Sequence, residues 1–330
     1  MRGMNRRLAL LGLSALGPSL ILPARAQDRQ RLPRVAMFTF GSRYNARSRT
    51  EAFVKAMRDL GWDEGKNIQY EWRFNNGQPD LMRESAVELA HDKVDAIVSA
   101  STMTTEALLE ATSSVPIVMA TVEDPVLSGF VKSLARPETN VTGLTNNTIE
   151  QVPHHMELLM KVVPSLAKVA ALMNPNNAIY APYRARLEAV ARAAHVRLVI
   201  LDASNYRDIE RVFKDLPAAR VGGLIVMSDG NFYTERSTIA ELAARFRIPA
   251  IYPQQAYVDA GGLMSYGQNL EGNYVRAAYY VDRILKGGKP AEMAIEQPAN
   301  VELVLNRNAA RSLGVALPGD LLKRAHKVIG

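Results

Sequence analysis

The sequence predicts an α/β protein of two lobes, each built on a parallel β-sheet and joined by a hinge that the chain crosses several times. Three observations predict it. Short apolar, β-rich runs alternate with longer amphipathic stretches, and strand–helix alternation implies parallel strands linked by right-handed crossovers. Most of these runs are continuously apolar, as in strands covered on both faces. The rhythm occurs twice, with about five strands before residue 146 and about five after it, and each half is large enough to be a domain.

In the first half the strands fall at residues 35–40, 68–74, 96–100, 116–122 and 141–145, and in the second at 169–173, 198–201, 223–227, 250–252 and 263–266. Helical periodicity marks residues 48–60, 80–90, 103–111, 157–163, 183–194, 206–216, 234–246 and 274–285. Residues 61–67 read as a hairpin-like turn, with Trp62 and Trp72 as structural side chains. The polar stretch 140–147 is the expected crossing from the first lobe to the second. After Gly261-Gly262 the strand at 263–266 and the helix at 274–285 are expected to return to the first lobe. Residues 286–290, Lys-Gly-Gly-Lys-Pro, then pass back. The expected division is 33–142 plus 262–287 for lobe 1 and 143–261 plus 288–330 for lobe 2. Several crossings of this kind make a hinge for domain closure.

Residues 1–26 read as a secretory signal peptide. Arg2, Arg6 and Arg7 form a basic start without acids, residues 8–22 are almost wholly apolar, and Ala24-Arg25-Ala26 offers a cleavage site after Ala26. The apolar run is too short to span a bilayer comfortably. The working protein is therefore expected in the periplasm. The whole chain has 40 basic and 33 acidic residues; removing the four arginines of the signal, Arg25 included, lowers the net charge to +3. No block of like charges remains, so composition gives no support for nucleic-acid or membrane-surface binding. Cysteine is absent, which excludes a disulfide scaffold and a lipid-modified cysteine. A soluble, untethered monomer is expected.

Polar residues collect at the carboxyl ends of the strands: Ser101-Thr102, Glu123-Asp124-Pro125, Asn174-Pro175 and Ser228-Asp229. In open parallel sheets ligands bind there, and each loop opens a helix whose free N–H groups favour an anion. Helix capping is the ordinary role of each such residue taken alone, and Glu123-Asp124 suggests capping before acid–base work. Four on the same edges favour a shared ligand site. Tyr44, Tyr180 and Tyr252 fall just past strands and are candidate apolar walls of that site.

Catalytic and cofactor motifs are missing. The chain after residue 26 has no Gly-x-Ser-x-Gly, Gly-x-Gly-x-x-Gly or phosphate-loop pattern. His154 and His155 are adjacent, so on a helix they point about 100° apart and do not share a metal simply. No enzyme activity, cofactor or metal is expected.

Several stretches resemble the periplasmic substrate-binding proteins of ABC transporters, in the family that includes components assigned to tryptophan/tyrosine transport. They are residues 53–67, Asp124-Pro125-Val126, Ser133-Leu134-Ala135-Arg136-Pro137 with Asn140-Val141-Thr142-Gly143, residues 261–267 and residues 281–287. The resemblance implies a type I periplasmic binding fold, two Rossmann-like lobes that close on a small ligand and deliver it to ABC permease membrane subunits. It implies an amino acid or related small carboxylate as ligand. The carboxylate would be held by the Ser101-Thr102 loop, the ammonium by Asp124 and Asp229, with Asn174 contributing from lobe 2. Ser-Thr-Met-Thr-Thr at 101–105 is bulkier than the Gly- or Ala-rich versions of that loop. A ligand-sensing partner of a receptor is the alternative, and a secreted α/β enzyme a weaker one. A signal in place of a helix-turn-helix disfavours a regulator.

Overall fold

The computed structural model describes residues 31–297 and 301–330; the signal peptide expected over residues 1–26 lies outside the described residues. The first lobe runs β1 (Arg34–Thr39), α1 (Arg43–Asp59), β2 (Gln69–Phe74), α2 (Pro79–His91), β3 (Ala96–Ser99), α3 (Thr102–Ala111), β4 (Ile117–Val122) and β5 (Val141–Thr145). Its strands are parallel, in the order β2-β1-β3-β4-β5. β3, β4 and β5 are buried along their whole length, β3 and β4 on largely apolar sequence and β5 on a mixture of Val, Leu, Gly and Thr. Met82, Ala86, Leu89 and Leu108 of α2 and α3 belong to one core cluster of this lobe, and Phe53 and Met57 of α1 to another.

The second lobe continues with α4 (Val152–Val162), β6 (Lys168–Met173), α5 (Tyr180–Ala193), β7 (Arg197–Asp202), α6 (Tyr206–Ala219) and β8 (Gly223–Val226). Then come α7 (Gly230–Thr234), α8 (Arg236–Arg245), β9 (Ala250–Tyr252), α9 (Gln255–Asp259) and β10 (Met264–Gln268). The remaining elements are α10 (Leu270–Leu285), β11 (Val301–Asn306), α11 (Arg307–Leu313), α12 (Gly319–Arg324) and β12 (Lys327–Ile329). The sheet order is β12-β11-β10-β9-β8-β6-β7, and β11 runs antiparallel to β10. The run β7-β6-β8-β9-β10 repeats the order of the first sheet. In each sheet the order reverses beside the lobe's first strand, between β1 and β3 and between β6 and β8, and a ligand crevice opens there at the carboxyl ends.

Two expectations about the crossings need correction. The strand expected at 263–266 to return to lobe 1 instead joins the second sheet, pairing with β9 and β11, because Leu263 and Met264 are buried in the second core. Only the helix after it, α10, packs on lobe 1, through Tyr274, Ala277 and Val281. Residues 286–290 do not complete the passage back. The chain stays beside β5, where Glu296 N–H donates to Gly143 O at 2.9 Å and Thr145 N–H to Glu296 O at 2.9 Å. Met293 and Ile295 are buried in the first lobe's cores, so the last crossing follows Glu296. The helix expected at 234–246 is α8, preceded by the separate short helix α7, and β11 and β12 were not among the expected strands. Trp62 is structural, its Nε1–H donating to Asp282 Oδ1 on α10 at 2.8 Å.

Candidate functional site

The two crevices face each other and form one closed cleft. From lobe 1, Ser42 caps α1 by accepting from Asn45 N–H. One turn on, Asn45 and Arg49 present the same helix face to the cleft. At the end of β3, Ser101 caps α3 in a reciprocal box: its Oγ accepts from Thr104 N–H, and Thr104 Oγ1 accepts from Ser101 N–H. The end of β4 delivers Glu123, which is buried. Its backbone is held by Thr102 Oγ1, which accepts from Glu123 N–H at 3.3 Å, and by Thr145 Oγ1, which donates to Glu123 O at 2.9 Å.

From lobe 2, the loop after β8 carries Ser228-Asp229. Asp229 caps α7: Oδ1 accepts from the N–H groups of Asn231 and Phe232 at 2.8 and 3.3 Å. Oδ2 accepts from the amides of Asn174 and Asn177 at 3.1 and 3.0 Å. Ser228 Oγ donates across the cleft to Glu123 Oε1 at 3.2 Å and accepts from Gln254 Nε2 at 3.3 Å. The lobes also meet where Gly230 faces Ser101; a Cβ there would stand 3.1 Å from Ser101 Oγ, so a larger residue would make Ser101 shift by a few tenths of an ångström. The free space at the centre is about 30 Å³, room for one or two waters.

Burial, and then the charge of Asp229, push the Glu123 carboxyl up to about 8; its hydrogen bonds offset only part of this. Glu123 Oε2 has no partner. Burial also raises Asp229, against the donors from Asn177, the α7 backbone and Asn174. Two acids in one closed, low-dielectric cleft favour a cation between them. Among the described residues no group of three or more His, Cys, Asp or Glu side chains is placed to hold a metal ion.

Residues 35–329 match the family model of the ABC transporter substrate binding protein. The chain belongs to the ABC transporter substrate-binding protein family. A tyrosine-binding protein of Clostridioides difficile (strain R20291) is 25% identical over 276 residues, 83% of this chain and 79% of that protein. A conserved domain protein of Vibrio cholerae superposes with a TM-score of 0.84 at 25% identity, covering 90% of this chain and 100% of that one. The ABC domain of Streptococcus pneumoniae in complex with L-Trp superposes at 0.83 with 21% identity, over 90% and 100% of the two chains. The fold is that of a type I periplasmic binding protein.

In this substrate-binding protein Ser101 and Asp229 line the cleft, while Thr102 and Asn174 stand behind it, holding Glu123 and Asp229. Four expected site residues lie elsewhere. Tyr44 is 82% exposed, because the face of α1 turned inward carries Asn45 and Arg49 instead. Asp124 caps its own turn, accepting from Val126 and Leu127 N–H at 2.9 and 3.0 Å. Tyr180 starts α5, its hydroxyl donating to Asp202 at 2.8 Å, and Tyr252 is buried in the lobe core, stacked on Tyr257 at 5.0 Å. Residue-type reasoning did not single out Arg49, Tyr233 or Gln254, and it read Glu123 with Asp124 as capping; all four line the cleft. The signal for Glu123 was its place at the end of β4; the Asp-Pro pattern next to it drew the assignment one residue too far.

Proposed function

We propose that this substrate-binding protein captures an α-amino acid between its lobes in the periplasm and delivers it to the membrane permease of an ABC importer. The observation that carries the reading is Glu123: a buried carboxyl with a free Oε2, beside the buried Asp229. A ligand ammonium placed there satisfies the free oxygen and neutralises the acid pair, and Glu123 gives up its proton to bind it. The relatives named for tyrosine and solved with L-Trp support an amino acid as the class. The basic, apolar and Ala-x-Ala segments of residues 1–26 support export.

The central space of about 30 Å³ has room for one or two waters and not for a ligand the size of tyrosine or tryptophan, so the lobes part to admit such a ligand and close again around it. Parting them breaks the Ser228–Glu123 hydrogen bond. A ligand that binds only the native state adds RT ln(1 + [L]/Kd), about 2.7 kcal/mol at a hundredfold excess over Kd. Thermal unfolding of the protein lacking residues 1–26 is expected to shift upward with one or a few of the twenty L-amino acids. No shift from any of them at millimolar concentration, alongside a shift from a neutral sugar, would contradict the reading. Loss of uptake of the same solute on gene deletion separates delivery to a permease from sensing.

A further inference from the structure

Arg49 is the other buried charge of the cleft, and none of the interactions above accounts for it. It sits in the middle of α1 with 5% of its surface exposed. Its Nη2 donates to Asn45 O at 3.1 Å, and its Nε has no partner. Among the described residues no carboxylate pairs with it, whereas other partly buried arginines have theirs, as Arg34 and Arg73 do in Glu71. Its guanidinium lies 4.4 Å from the ring centroid of Tyr233, across the cleft on α7, and 5.6 Å from that of Tyr274 on α10. It borders both the central space and an adjoining cavity of about 140 Å³. Burying a cation without an anion is costly, and stacking on two rings offsets only part of that cost.

We propose that Arg49 is the anchor for the carboxylate of the ligand, its planar fork meeting the two carboxylate oxygens. A guanidinium suits that geometry better than any other side chain. The assignment rests on the amino-acid reading for the opposite, ammonium end of the ligand, but it concerns the acid end alone. It replaces the Ser101-Thr102 loop in that role. The Ser101 hydroxyl and N–H are already engaged with Thr104, whereas Arg49 keeps an unused donor. Because Tyr233 belongs to lobe 2, a carboxylate on Arg49 is held at the seam where the lobes meet. The acid end of the ligand thereby rewards closure.

The test is titration calorimetry of wild type, Arg49→Met and Arg49→Lys with three matched probes: L-tyrosine, its deaminated acid 3-(4-hydroxyphenyl)propanoate, and its decarboxylated amine tyramine. The same trio built on L-tryptophan runs in parallel. Wild type is expected to prefer the amino acid over the amine by at least tenfold. Arg49→Met should lose at least tenfold in affinity for the amino acid and abolish that preference, and Arg49→Lys should keep part of it. Without ligand, Arg49→Met is expected to melt no lower than wild type, since it removes an unpaired buried charge; a purely structural arginine would lower the melting temperature. Equal loss for amino acid and amine, or unchanged binding of the amino acid by Arg49→Met, overturns the assignment. Binding of the amine with no binding of either carboxylate overturns it too, while leaving capture of an ammonium standing. Binding of the deaminated acid but not of the amino acid, lost in Arg49→Met, supports Arg49 and overturns the amino-acid reading instead.

Discussion

Glu123 and Asp229 differ in what their oxygens are already doing. Asp229 accepts four hydrogen bonds, about the full capacity of a carboxylate, so it acts on a ligand through its charge. Glu123 keeps one oxygen free and is the group that makes a direct bond. Its titration gives a signature. With its carboxyl pushed up to about 8 from 4.5, the native protein holds a proton between those values that the unfolded chain has released. Unfolding free energy therefore falls as pH rises through that window and is lowest above pH 8, with a slope of at most about 1.4 kcal/mol per pH unit. His155, which burial lowers to about 4, gives the opposite slope, but only below its ordinary value of 6.5. Urea unfolding between pH 6.5 and 8.5 avoids the His155 window, and Glu123→Gln should flatten the slope there; equal slopes in wild type and variant would remove this role. At this scale the sequence exposed Ser101, Glu123 and Asp229 as polar residues in the loops after strands, but left the role of Glu123 as capping. It hid Arg49, because an arginine inside a helix looks the same whether buried or solvated.

Helix α7 shows how one element ties the cap to the site. Its five residues are too few to hold a helix by propensity; the Asp229 cap and the buried Phe232 fix it, and it presents Tyr233 to Arg49. Asp229→Ala removes the cap and strands the amides of Asn174 and Asn177. The expected loss is about 2–4 kcal/mol of unfolding free energy, read by urea denaturation, with a weakened ligand response. A loss below about 0.5 kcal/mol would mean that the network does not hold α7. The strands of both half-sheets were legible as elements, since unbroken runs such as Ile-Val-Met-Ala-Thr-Val have one stable place, between two helical layers. Which sheet β10 joins was not legible. Its own residues suit either lobe, and its pairing with β9 and β11 decides.

Across the whole molecule, two sheets of like strand order place their switch points face to face. The hinge segments then set how far the cleft opens. At the β10–α10 crossing, Asn273 Nδ2 donates to Asn146 Oδ1, in the segment after β5, at 2.9 Å and to Gln268 Oε1 at 3.1 Å. The repeated rhythm in the sequence predicted this two-lobed plan. The closure contacts between Glu123 and Ser228 and between Arg49 and Tyr233 join residues about 105 and 184 positions apart, a separation no local pattern records. The central claim is that the closed cleft recognises the ammonium of an amino acid through Glu123. Titration calorimetry of the twenty L-amino acids against wild type and Glu123→Gln tests it most directly. The expected result is one site per chain for at least one amino acid, weakened at least tenfold in the variant. An amino acid bound equally well by both proteins, or a panel in which only molecules without an amine bind, would contradict it.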